Sequence, residues 1–481
     1  MFDPFLNLLY SPWLTWTFTA IYTLTVVIVL CVIVGENRNP VKSLAWVTVL
    51  LLMPLAGVII YMFFGRSIKN KRMVSRRNRR RLRRAEHSRT ADVTRLGLSP
   101  QSVQQTQLAR SLTGAGFYPD NDIKVFTNGT SKFAALLDDL ASAKSFINIQ
   151  YYIFSDDNIG RRVAAALIDR ARAGVKVRVI YDHVGSLKTR GRFFKAMRQA
   201  GVEVYPFFRV TFPFLGTRLN WRNHRKLCVI DGRVGYIGGM NVADRYIDGG
   251  KMFDTWRDSH LRVEGPAVSA LQYSFAVDWN FMGKDLIDDD MTQPPAPAGK
   301  TGAQLITSGP TSQWSNVEYM FNKAIAGARQ RIYIQTPYFL PTEGLLKALQ
   351  TAALAHVDVR IMIPRRTDSR MLRSASFSYI AECLRAGIKI YLYELGMLHA
   401  KNIVIDDELS SVGSTNFDFR SFEHNFEANL FIYSREFNAR MVDIFLADQR
   451  HSTRILPSNW SKRPWTSKTM ESIVRLLSPI L

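Results

Sequence analysis

Cysteine is scarce in this sequence: Cys31, Cys228 and Cys383 are the three cysteines among 481 residues, and they lie far apart. Such wide spacing excludes a disulfide framework, which needs several cysteine pairs in a short chain. Clusters of His and Cys with the spacing of a zinc site are also lacking. The composition therefore favours a protein of a reducing compartment, and we expect no metal and no other cofactor.

Charge is missing from two long stretches near the start of the chain. Residues 13–34 and 44–64 contain 22 and 21 residues without a charged side chain. About 20 apolar residues in a helix cross the hydrocarbon core, where a helix satisfies its own backbone hydrogen bonds. We therefore predict a transmembrane helical hairpin within residues 1–65, with spans at about 13–34 and 44–64. A cleaved signal peptide is disfavoured because no Lys or Arg precedes the first run.

Acidic residues are missing from residues 66–84, which hold eleven Lys or Arg. Removing those eleven from the net charge of +23 leaves +12, so the rest of the chain is also basic. Basic proteins bind nucleic acid, anionic membrane surfaces or anionic substrates, and charge alone does not choose among them. A basic cluster directly after an apolar span marks the cytoplasmic side. It also attracts anionic lipid headgroups, at about 1 kcal/mol for each basic residue.

An internal duplication is visible after residue 118. Three segments recur at offsets of 185, 182 and 186 residues. The matching pairs are 147–150 with 332–335, 175–179 with 357–361, and 200–205 with 386–391. Strand-like and helix-like patterns alternate in each copy, which predicts an α/β fold with a helix-covered sheet. We expect two duplicated halves that pack about a pseudo-twofold axis.

These patterns divide the chain into five segments. They are the hairpin 1–65, a basic juxtamembrane linker 66–117, the first half 118–292, a Pro- and Ala-rich linker 293–302, and the second half 303–481.

One spacing occurs once in each half: His-x-Lys-x4-Asp-x6-Gly-x2-Asn. The first copy consists of His224, Lys226, Asp231, Gly238 and Asn241, and the second of His399, Lys401, Asp406, Gly413 and Asn416. Strand alternation places each His and Lys on one face. Lysine and asparagine donate to phosphate oxygens, and imidazole can attack phosphorus or carry a proton near neutral pH. Two copies meeting at the axis would form one oxyanion pocket, whereas a single copy would be weak evidence. Lysine is a poor metal ligand, which disfavours a metal site.

The paired motif resembles the HxKxxxxD signature of the phospholipase D superfamily. Within it the chain is similar to bacterial cardiolipin synthases, also in Trp256-Arg257-Asp258 and in Asn416-Phe417-Asp418. The resemblance implies two phospholipase D-like α-β-α sandwich halves and an enzyme of the bacterial cytoplasmic (inner) membrane, multi-pass, with a cytoplasmic catalytic domain. It implies phosphatidyl transfer between two phosphatidylglycerol molecules through a phosphohistidine, giving cardiolipin and glycerol.

The resemblance also implies roles for individual residues. His224 would be the nucleophile and His399 the acid and base, although two such similar copies do not separate these roles. Asn241, Asn416, Ser414 and the two lysines would hold phosphate oxygens. Asp231 and Asp406 belong to the catalytic signature but could equally be structural ion-pair partners. The acids that orient the histidines would then be Asp258 and Glu427.

Other functions remain open at this point. Phospholipase D hydrolysis needs only water as the final acceptor, and the same superfamily includes nucleases, which the basic charge permits. A scaffold that only binds anionic lipid is disfavoured by two intact motifs. The apolar hairpin favours phosphatidylglycerol and anionic membrane lipids as partners, and we expect no nucleic acid.

Overall fold

A computed structural model of the chain describes residues 12–35, 40–61, 65, 69, 72–85, 93–209, 220–287, 295–476 and 478. The chain divides into two units. The N-terminal unit comprises Met1–Ile68 and Val210–Asn220, and the main unit comprises Lys69–Arg209 and Trp221–Leu481. Residues 62–64 of the second predicted span and 293–294 of the predicted linker lie outside the described residues.

The N-terminal unit consists of apolar helices α1 (Pro12–Gly35), α2 (Pro40–Leu52) and α3 (Pro54–Ile60). Ile33, Leu50 and Tyr61 pack together in a small core that joins them. Most other apolar side chains of α1 are exposed, including Trp16 at 75%. A helix that exposes apolar side chains on most of its surface suits lipid rather than water.

The second apolar run differs from the prediction of one continuous span. The helix breaks at Met53 (φ −131°, ψ 71°) because Pro54 follows it, and proline disfavours a helical conformation in the residue before it. Among the described residues, only the segment Pro12–Cys31 is a helix long and apolar enough to cross a membrane.

The main unit alternates strands and helices, as the sequence predicts. Its helices are α4 (Arg76–Ala85), α5 (Pro100–Thr113), α6 (Gly129–Ala141), α7 (Asn158–Arg172), α8 (Gly191–Gln199), α9 (Arg245–Asp248), α10 (Val268–Phe281), α11 (Asn316–Gly327), α12 (Glu343–Leu354), α13 (Arg370–Ser378), α14 (Ile380–Arg385), α15 (Phe419–Glu423), α16 (Arg435–Arg450), α17 (Pro457–Ser461) and α18 (Trp465–Arg475).

Its strands are β1 (Tyr118–Phe126), β2 (Phe146–Tyr151), β3 (Lys176–Asp182), β4 (Glu203–Phe207), β5 (Arg222–Asn223), β6 (Leu227–Ile230), β7 (Val234–Gly238), β8 (Trp256–Arg257), β9 (His260–Glu264), β10 (Thr301–Ser308), β11 (Arg331–Gln335), β12 (Phe339–Leu340), β13 (Asp358–Pro364), β14 (Lys389–Tyr393), β15 (Met397–Leu398), β16 (Asn402–Ile405), β17 (Leu409–Gly413), β18 (Phe417–Asp418), β19 (Asn425–Tyr433) and β20 (Ser452–Arg454).

Most of these strands form one sheet with a repeated order. Outward from the β1–β10 pair, one side runs β1-β9-β7-β6-β2-β3-β4 and the other β10-β19-β17-β16-β11-β13-β14. The central pairs are antiparallel, whereas β2-β3-β4 and β11-β13-β14 are parallel. The two strand orders correspond position by position, so equivalent strands of the two sides hold the two motifs.

Apolar side chains fill both faces of this sheet. Cys228 and Ile230 face one buried cluster, which includes Phe133 of α6. Val229, between them, faces another, which includes Leu271 of α10. Alternation along a strand therefore gives a sheet covered on both faces, the arrangement of an α/β sandwich.

Helix α5 lies inside the predicted linker 66–117 but packs as part of the main unit. Ser99 caps its N-terminus by accepting from the Ser102 amide at 3.2 Å. The buried Gln105 side chain donates to the Met320 carbonyl of α11 at 2.7 Å.

Asn121 joins the two sides of the sheet at the β1–β10 seam. It is fully buried, and its amide nitrogen donates to the carbonyls of Tyr118 and Thr301 at 2.8 and 2.9 Å. Its oxygen accepts from the Ala267 amide at 2.8 Å. One side chain thus links strands of both sides to the start of α10.

We predict that Asn121→Ala lowers the free energy of unfolding by about 2–4 kcal/mol, because it leaves buried backbone groups unpaired. Denaturant unfolding in detergent, followed by circular dichroism, measures the loss. Asn128→Ala is the control: it removes only the exposed cap of α6, which costs about 1 kcal/mol. An equal loss in both variants would contradict a special role for the seam.

Candidate active site

His224 is held by a strand from the other side of the sheet. The two-residue strand β5 precedes it and pairs in parallel with the start of β19, Arg222 opposite Asn425. The pairing continues through the His224 amide, which donates to the Phe426 carbonyl at 2.9 Å. The backbone around His224 is therefore fixed by residues about 200 positions later in the chain.

His399 is held in the corresponding way. The short strand β15 precedes it and pairs in parallel with β8, Met397 opposite Trp256. The His399 amide donates to the Arg257 carbonyl at 2.6 Å. Each histidine thus belongs to one side of the sheet and is positioned by the other.

Each imidazole is also contacted by a carboxylate from the other side of the sheet. His224 Nδ1 lies 2.9 Å from Glu427 Oε1, and His399 Nδ1 lies 2.6 Å from Asp258 Oδ2. Both acids are fully buried. A carboxylate only accepts hydrogen bonds, so each Nδ1 carries the proton and each neutral imidazole presents its lone pair at Nε2.

Both histidines line one cavity of about 190 Å³. Polar and charged side chains dominate its wall. They are Tyr152, Arg222, Asn241, Arg245, Tyr246, Tyr338, Asp368, Asn416, Asp418, Arg420 and Asn425. A small concave site with convergent polar groups is the usual form of an active site.

The motif lysines lie beneath the histidines rather than on the cavity wall. Lys226 Nζ donates to the His224 carbonyl at 2.5 Å, and Lys401 Nζ donates to the His399 carbonyl at 2.5 Å. Lys401 Nζ also lies 2.8 Å from His399 Nδ1, against the ring. Both lysines are buried, so they support the backbone of the two histidines from beneath the cavity.

Burial governs the protonation of these groups. It lowers the pKa of both His224 and His399 from 6.5 to about 4, although Glu427 and Asp258 oppose the change. Burial likewise lowers the pKa of Lys226 well below its usual 10.5 and that of Lys401 to about 8. Both imidazoles are therefore neutral near pH 7, the form in which a histidine acts as a nucleophile.

The pKa values of the two acids are also lowered, but by neighbouring charges rather than by burial. Burial raises the pKa of a carboxyl group, yet the net pKa of Asp258 is lowered because Lys401 and His399 outweigh burial. The pKa of Glu427 is lowered in the same way by His224 and Lys226. Asp258 and Glu427 are therefore ionised and can stabilise an imidazolium when one forms.

The three predicted phosphate-binding residues occupy different places. Asn241 and Asn416 both line the cavity. Ser414 does not: its hydroxyl donates to Glu427 Oε2 at 2.5 Å, behind the histidine. The equivalent residue of the first motif is Gly239, where a Cβ would lie 2.1 Å from Asp258 Oδ1. The difference between Ser414 and Gly239 therefore accommodates two different acids rather than a phosphate.

The signature aspartates Asp231 and Asp406 lie away from the cavity. Each occupies a tight turn with positive φ, 52° and 51° respectively. Asp231 accepts from the amides of Lys144, Ser145 and Phe146 at 2.8–2.9 Å. Asp406 accepts from the amides of residues 329–331 at 2.7–3.2 Å. Their partners are backbone amides rather than the basic side chains considered from the sequence.

Several residues of the cavity wall lie outside the two motifs and were not predicted. Arg245 and Arg420 each follow a motif asparagine by four residues, a repeated spacing that would have identified them. Arg222 precedes His224 by two residues, so strand alternation places both on one face. Tyr338 and Asp368 carry no such signal, although the tyrosine donates to the aspartate at 2.5 Å.

Within the part of the chain that the structure describes, no group of three or more His, Cys, Asp or Glu side chains could hold a metal ion.

Comparison with known proteins gives the family. The family described as "Cardiolipin synthase, PLD-like domain" matches twice, at residues 136–279 and 321–449. A cardiolipin synthase of Geobacillus kaustophilus is 39% identical over 470 residues, covering 96% of this chain and 94% of its own. The major cardiolipin synthase of Bacillus subtilis is 39% identical over 483 residues, covering 96% and 98%.

This chain belongs to the cardiolipin synthase family.

Family membership confirms the resemblance drawn from the motifs and the prediction of a phosphatidyltransferase of phospholipid biosynthesis. A phospholipase D-nuclease N-terminal family matches residues 23–66, over the apolar helices. The fold is also found in a phosphatidylserine synthase of Haemophilus influenzae, with a TM-score of 0.60 and 13% identity over 79% of this chain and 100% of that one. Cardiolipin synthases thus share this mixed α/β fold with a more distant enzyme.

We predict different effects for Asp258, which contacts His399, and for Asp231, which accepts hydrogen bonds from the backbone in a turn. Asp258→Asn should lower the phosphatidyl-transfer rate by about 10³–10⁴-fold, because an amide no longer fixes the tautomer of His399. Asp231→Asn should lower the free energy of unfolding by about 1–3 kcal/mol through weaker hydrogen bonds, with a rate per folded molecule near that of the wild type. Rates and melting temperatures of both variants measure this, and a catalytic loss in a fully folded Asp231→Asn would refute it.

We also predict a loss of stability in acid. The unfolded chain takes up protons on His224 and His399 below about pH 6.5, whereas the folded protein does so only near the lowered pKa of about 4. Stability is therefore retained above pH 6.5 and lost as the pH falls toward 4. Between pH 6.5 and 4, the melting temperature of the double variant His224→Asn/His399→Asn should fall less than that of the wild type. The same pH dependence in both proteins would disprove the prediction.

Proposed function

We propose that this protein synthesises cardiolipin from two phosphatidylglycerol molecules through a phosphohistidine. The observation that carries the proposal is that two imidazoles, each oriented by a buried carboxylate, line a single small cavity. One imidazole can then form a bond to phosphorus while the other transfers a proton to or from the departing or attacking oxygen.

In the first half-reaction His224 Nε2 attacks the phosphorus of one phosphatidylglycerol. The bond between phosphorus and the glycerol oxygen breaks, and a protonated His399 gives its Nε2 proton to that oxygen, so glycerol leaves. The assignment of His224 as nucleophile follows the family resemblance. An entering phosphodiester anion raises the pKa of His399 and so supplies the imidazolium that this step needs.

In the second half-reaction a terminal hydroxyl of another phosphatidylglycerol attacks the phosphorus. His399 Nε2 takes the hydroxyl proton, the new phosphorus–oxygen bond forms, and the bond to His224 Nε2 breaks. The product is cardiolipin, and both imidazoles return to their initial protonation states. Water in place of the second lipid would give phosphatidic acid instead.

Charge on the phosphate oxygens would be held by the donors of the cavity. Asn241 and Asn416 are the asparagines of the motifs, and Arg245 and Arg420 stand four residues after them. Fixed donors of this kind stabilise charge that develops in a transition state. Lys226 and Lys401 add positive charge from beneath.

Asp368 is an acid among these cationic groups. A carboxylate repels phosphate but accepts hydrogen bonds from hydroxyl groups. We propose that Asp368, next to Tyr338, binds the glycerol hydroxyls of the headgroup and so favours phosphatidylglycerol over a headgroup without them.

Two further features belong to this proposal. The matching strand orders and the double family match support two duplicated halves about a pseudo-twofold axis. The limits 1–65, 66–117, 118–292, 293–302 and 303–481 remain a prediction from the sequence, with helix α5 of the segment 66–117 packed on the main unit. Packing of α1 on α2 and α3 supports a membrane hairpin despite the break at Met53. The basic residues that follow would place the catalytic domain in the cytoplasm.

Purified protein in detergent micelles with labelled phosphatidylglycerol tests the function. We expect cardiolipin and glycerol in equal amounts, and loss of both in His224→Ala and in His399→Ala. Phosphatidic acid without cardiolipin would indicate a hydrolase, and nicking of plasmid DNA without lipid turnover would indicate a nuclease. Either result would overturn the proposal.

A trapping experiment tests the roles of the two histidines. A phosphatidyl ester of p-nitrophenol has a leaving group that needs no general acid, so His399→Ala should still release one nitrophenol per enzyme and retain the phosphatidyl group on His224. Mass spectrometry of digests prepared at neutral pH locates the adduct. A burst with an adduct on His399 in the His224→Ala variant, and none in His399→Ala, would reverse the assignment.

A further inference from the structure

A second cavity lies in the main unit behind His224. Its volume is about 510 Å³, within the range of small-molecule sites. Helix α4, the end of α5, one face of α10 and the segment after β10 enclose it. We call it the rear cavity.

Arginines dominate the charged lining of the rear cavity, and one of them, Arg225, is ion-paired behind the wall with the buried Asp278, Nη1 to Oδ1 at 2.6 Å. Five arginines contribute, and no Asp or Glu occurs among the described residues of its wall. These arginines are Arg72, Arg76, Arg79, Arg83 and Arg225. The guanidinium group of Arg83 donates to the carbonyls of Thr113 and Gly114 at 2.5 and 2.7 Å. Within the described part of the chain, the side chains of Arg72, Arg76 and Arg79 form no ion pair, so their charges are available to an anion.

Apolar side chains and an unpaired hydroxyl also line the rear cavity. Met73, Val74, Leu112 and Val277 are among the apolar ones. Ser274 is also part of the wall and is only 3% exposed, yet its hydroxyl has no hydrogen-bond partner. Buried hydroxyl groups are normally paired, so an unpaired one in a cavity wall is suited to a ligand.

Two residues connect this cavity to the catalytic histidine. Phe426 lines the rear cavity, and its carbonyl accepts from the His224 amide at 2.9 Å. Arg225 also lines it, and its Nε donates to the Glu427 carbonyl at 3.1 Å. Extended backbone turns neighbouring side chains to opposite faces. His224 therefore faces the catalytic cavity, while Arg225 faces the rear cavity.

The second motif lacks the equivalent cation. The residue between His399 and Lys401 is Ala400, at the position of Arg225 between His224 and Lys226. A ligand in the rear cavity would thus affect His224 and not His399, although the backbone of both histidines is held in the same way.

We infer that the rear cavity binds the headgroup of an anionic phospholipid and that the bound lipid influences His224 through Arg225 and Phe426. Arg72, Arg76 and Arg79 recognise a phosphate group, and the apolar side chains that line the cavity, with Tyr273, accept the part of the lipid next to it. A soluble phosphate could also contact the arginines, but it has no apolar part to pack against the apolar side chains. The site is additional to the catalytic cavity, and only its effect on turnover rests on the proposed function.

Lipid binding to the full-length double variant His224→Ala/His399→Ala tests the site without turnover. The protein is titrated in neutral detergent micelles that contain fluorescent phosphatidylglycerol. Adding Arg76→Gln/Arg79→Gln should weaken binding roughly 25-fold, since each cation near an anionic lipid contributes a factor of about five. The matched control is Arg77→Gln/Arg80→Gln, which removes the same charge from the same helix outside the cavity wall.

Several outcomes would overturn the site. If both arginine pairs weaken lipid binding equally, the lipid is attracted by the general positive charge of the helix and not by the rear cavity. If neither pair weakens binding, the rear cavity does not bind lipid. Competition by inorganic phosphate at the concentration at which lipid binds would make it a site for soluble phosphate, and stronger competition by an oligonucleotide would make it a nucleic-acid site. Ser274→Val should also weaken lipid binding, because it removes the unpaired hydroxyl group from the cavity wall.

Turnover of phosphatidylglycerol tests the connection to His224 separately. With the catalytic histidines restored, Arg76→Gln/Arg79→Gln should change the rate at saturating substrate at least threefold relative to Arg77→Gln/Arg80→Gln. Equal rates would refute the connection while leaving the binding result intact. Failure of the proposed function is distinguishable, because all variants would then lack cardiolipin synthesis while the double histidine variant still bound lipid.

Discussion

The exchange of carboxylates between the two sides of the sheet is the interaction on which the active site depends. Glu427 orients His224 and Asp258 orients His399, and short parallel strands fix both backbones in the same crossed manner. Burying these ions is costly unless each has a partner. The exchange provides one for each, with Lys226 and Lys401 beneath. Packing of the two sides and catalytic geometry therefore have a common origin.

Much of the site was predictable because its signals are local. The fixed spacing from His224 to Asn241, repeated from His399 to Asn416, identifies residues that a strand and the following turn bring to one place. Alternating patterns likewise predict the strands and helices of both sides. The break at Met53 was also readable in principle, since Pro54 follows it, but uniform apolarity in the second run concealed it.

What the sequence could not reveal depends on contacts between distant segments. Nothing in the spacing tells which acid meets which histidine, since Asp258 and Glu427 each lie closer in sequence to the histidine that they do not contact. Ser414 is similar: as the counterpart of Gly239 it resembles an additional phosphate donor, but it supports the longer acid instead. Asp368 reaches the cavity from a loop between β13 and α13, where no periodic pattern marks it.

The crossed strands also bear on how such an enzyme could have arisen. In a shorter ancestor with a single motif, the histidine would have lacked both its carboxylate partner and the strand that fixes its backbone. Two identical copies associated through the edge now formed by β1 and β10 would have completed both sites at once. Gene fusion would then have freed the copies to diverge, and arginine at position 225 opposite alanine at position 400 would be one such divergence.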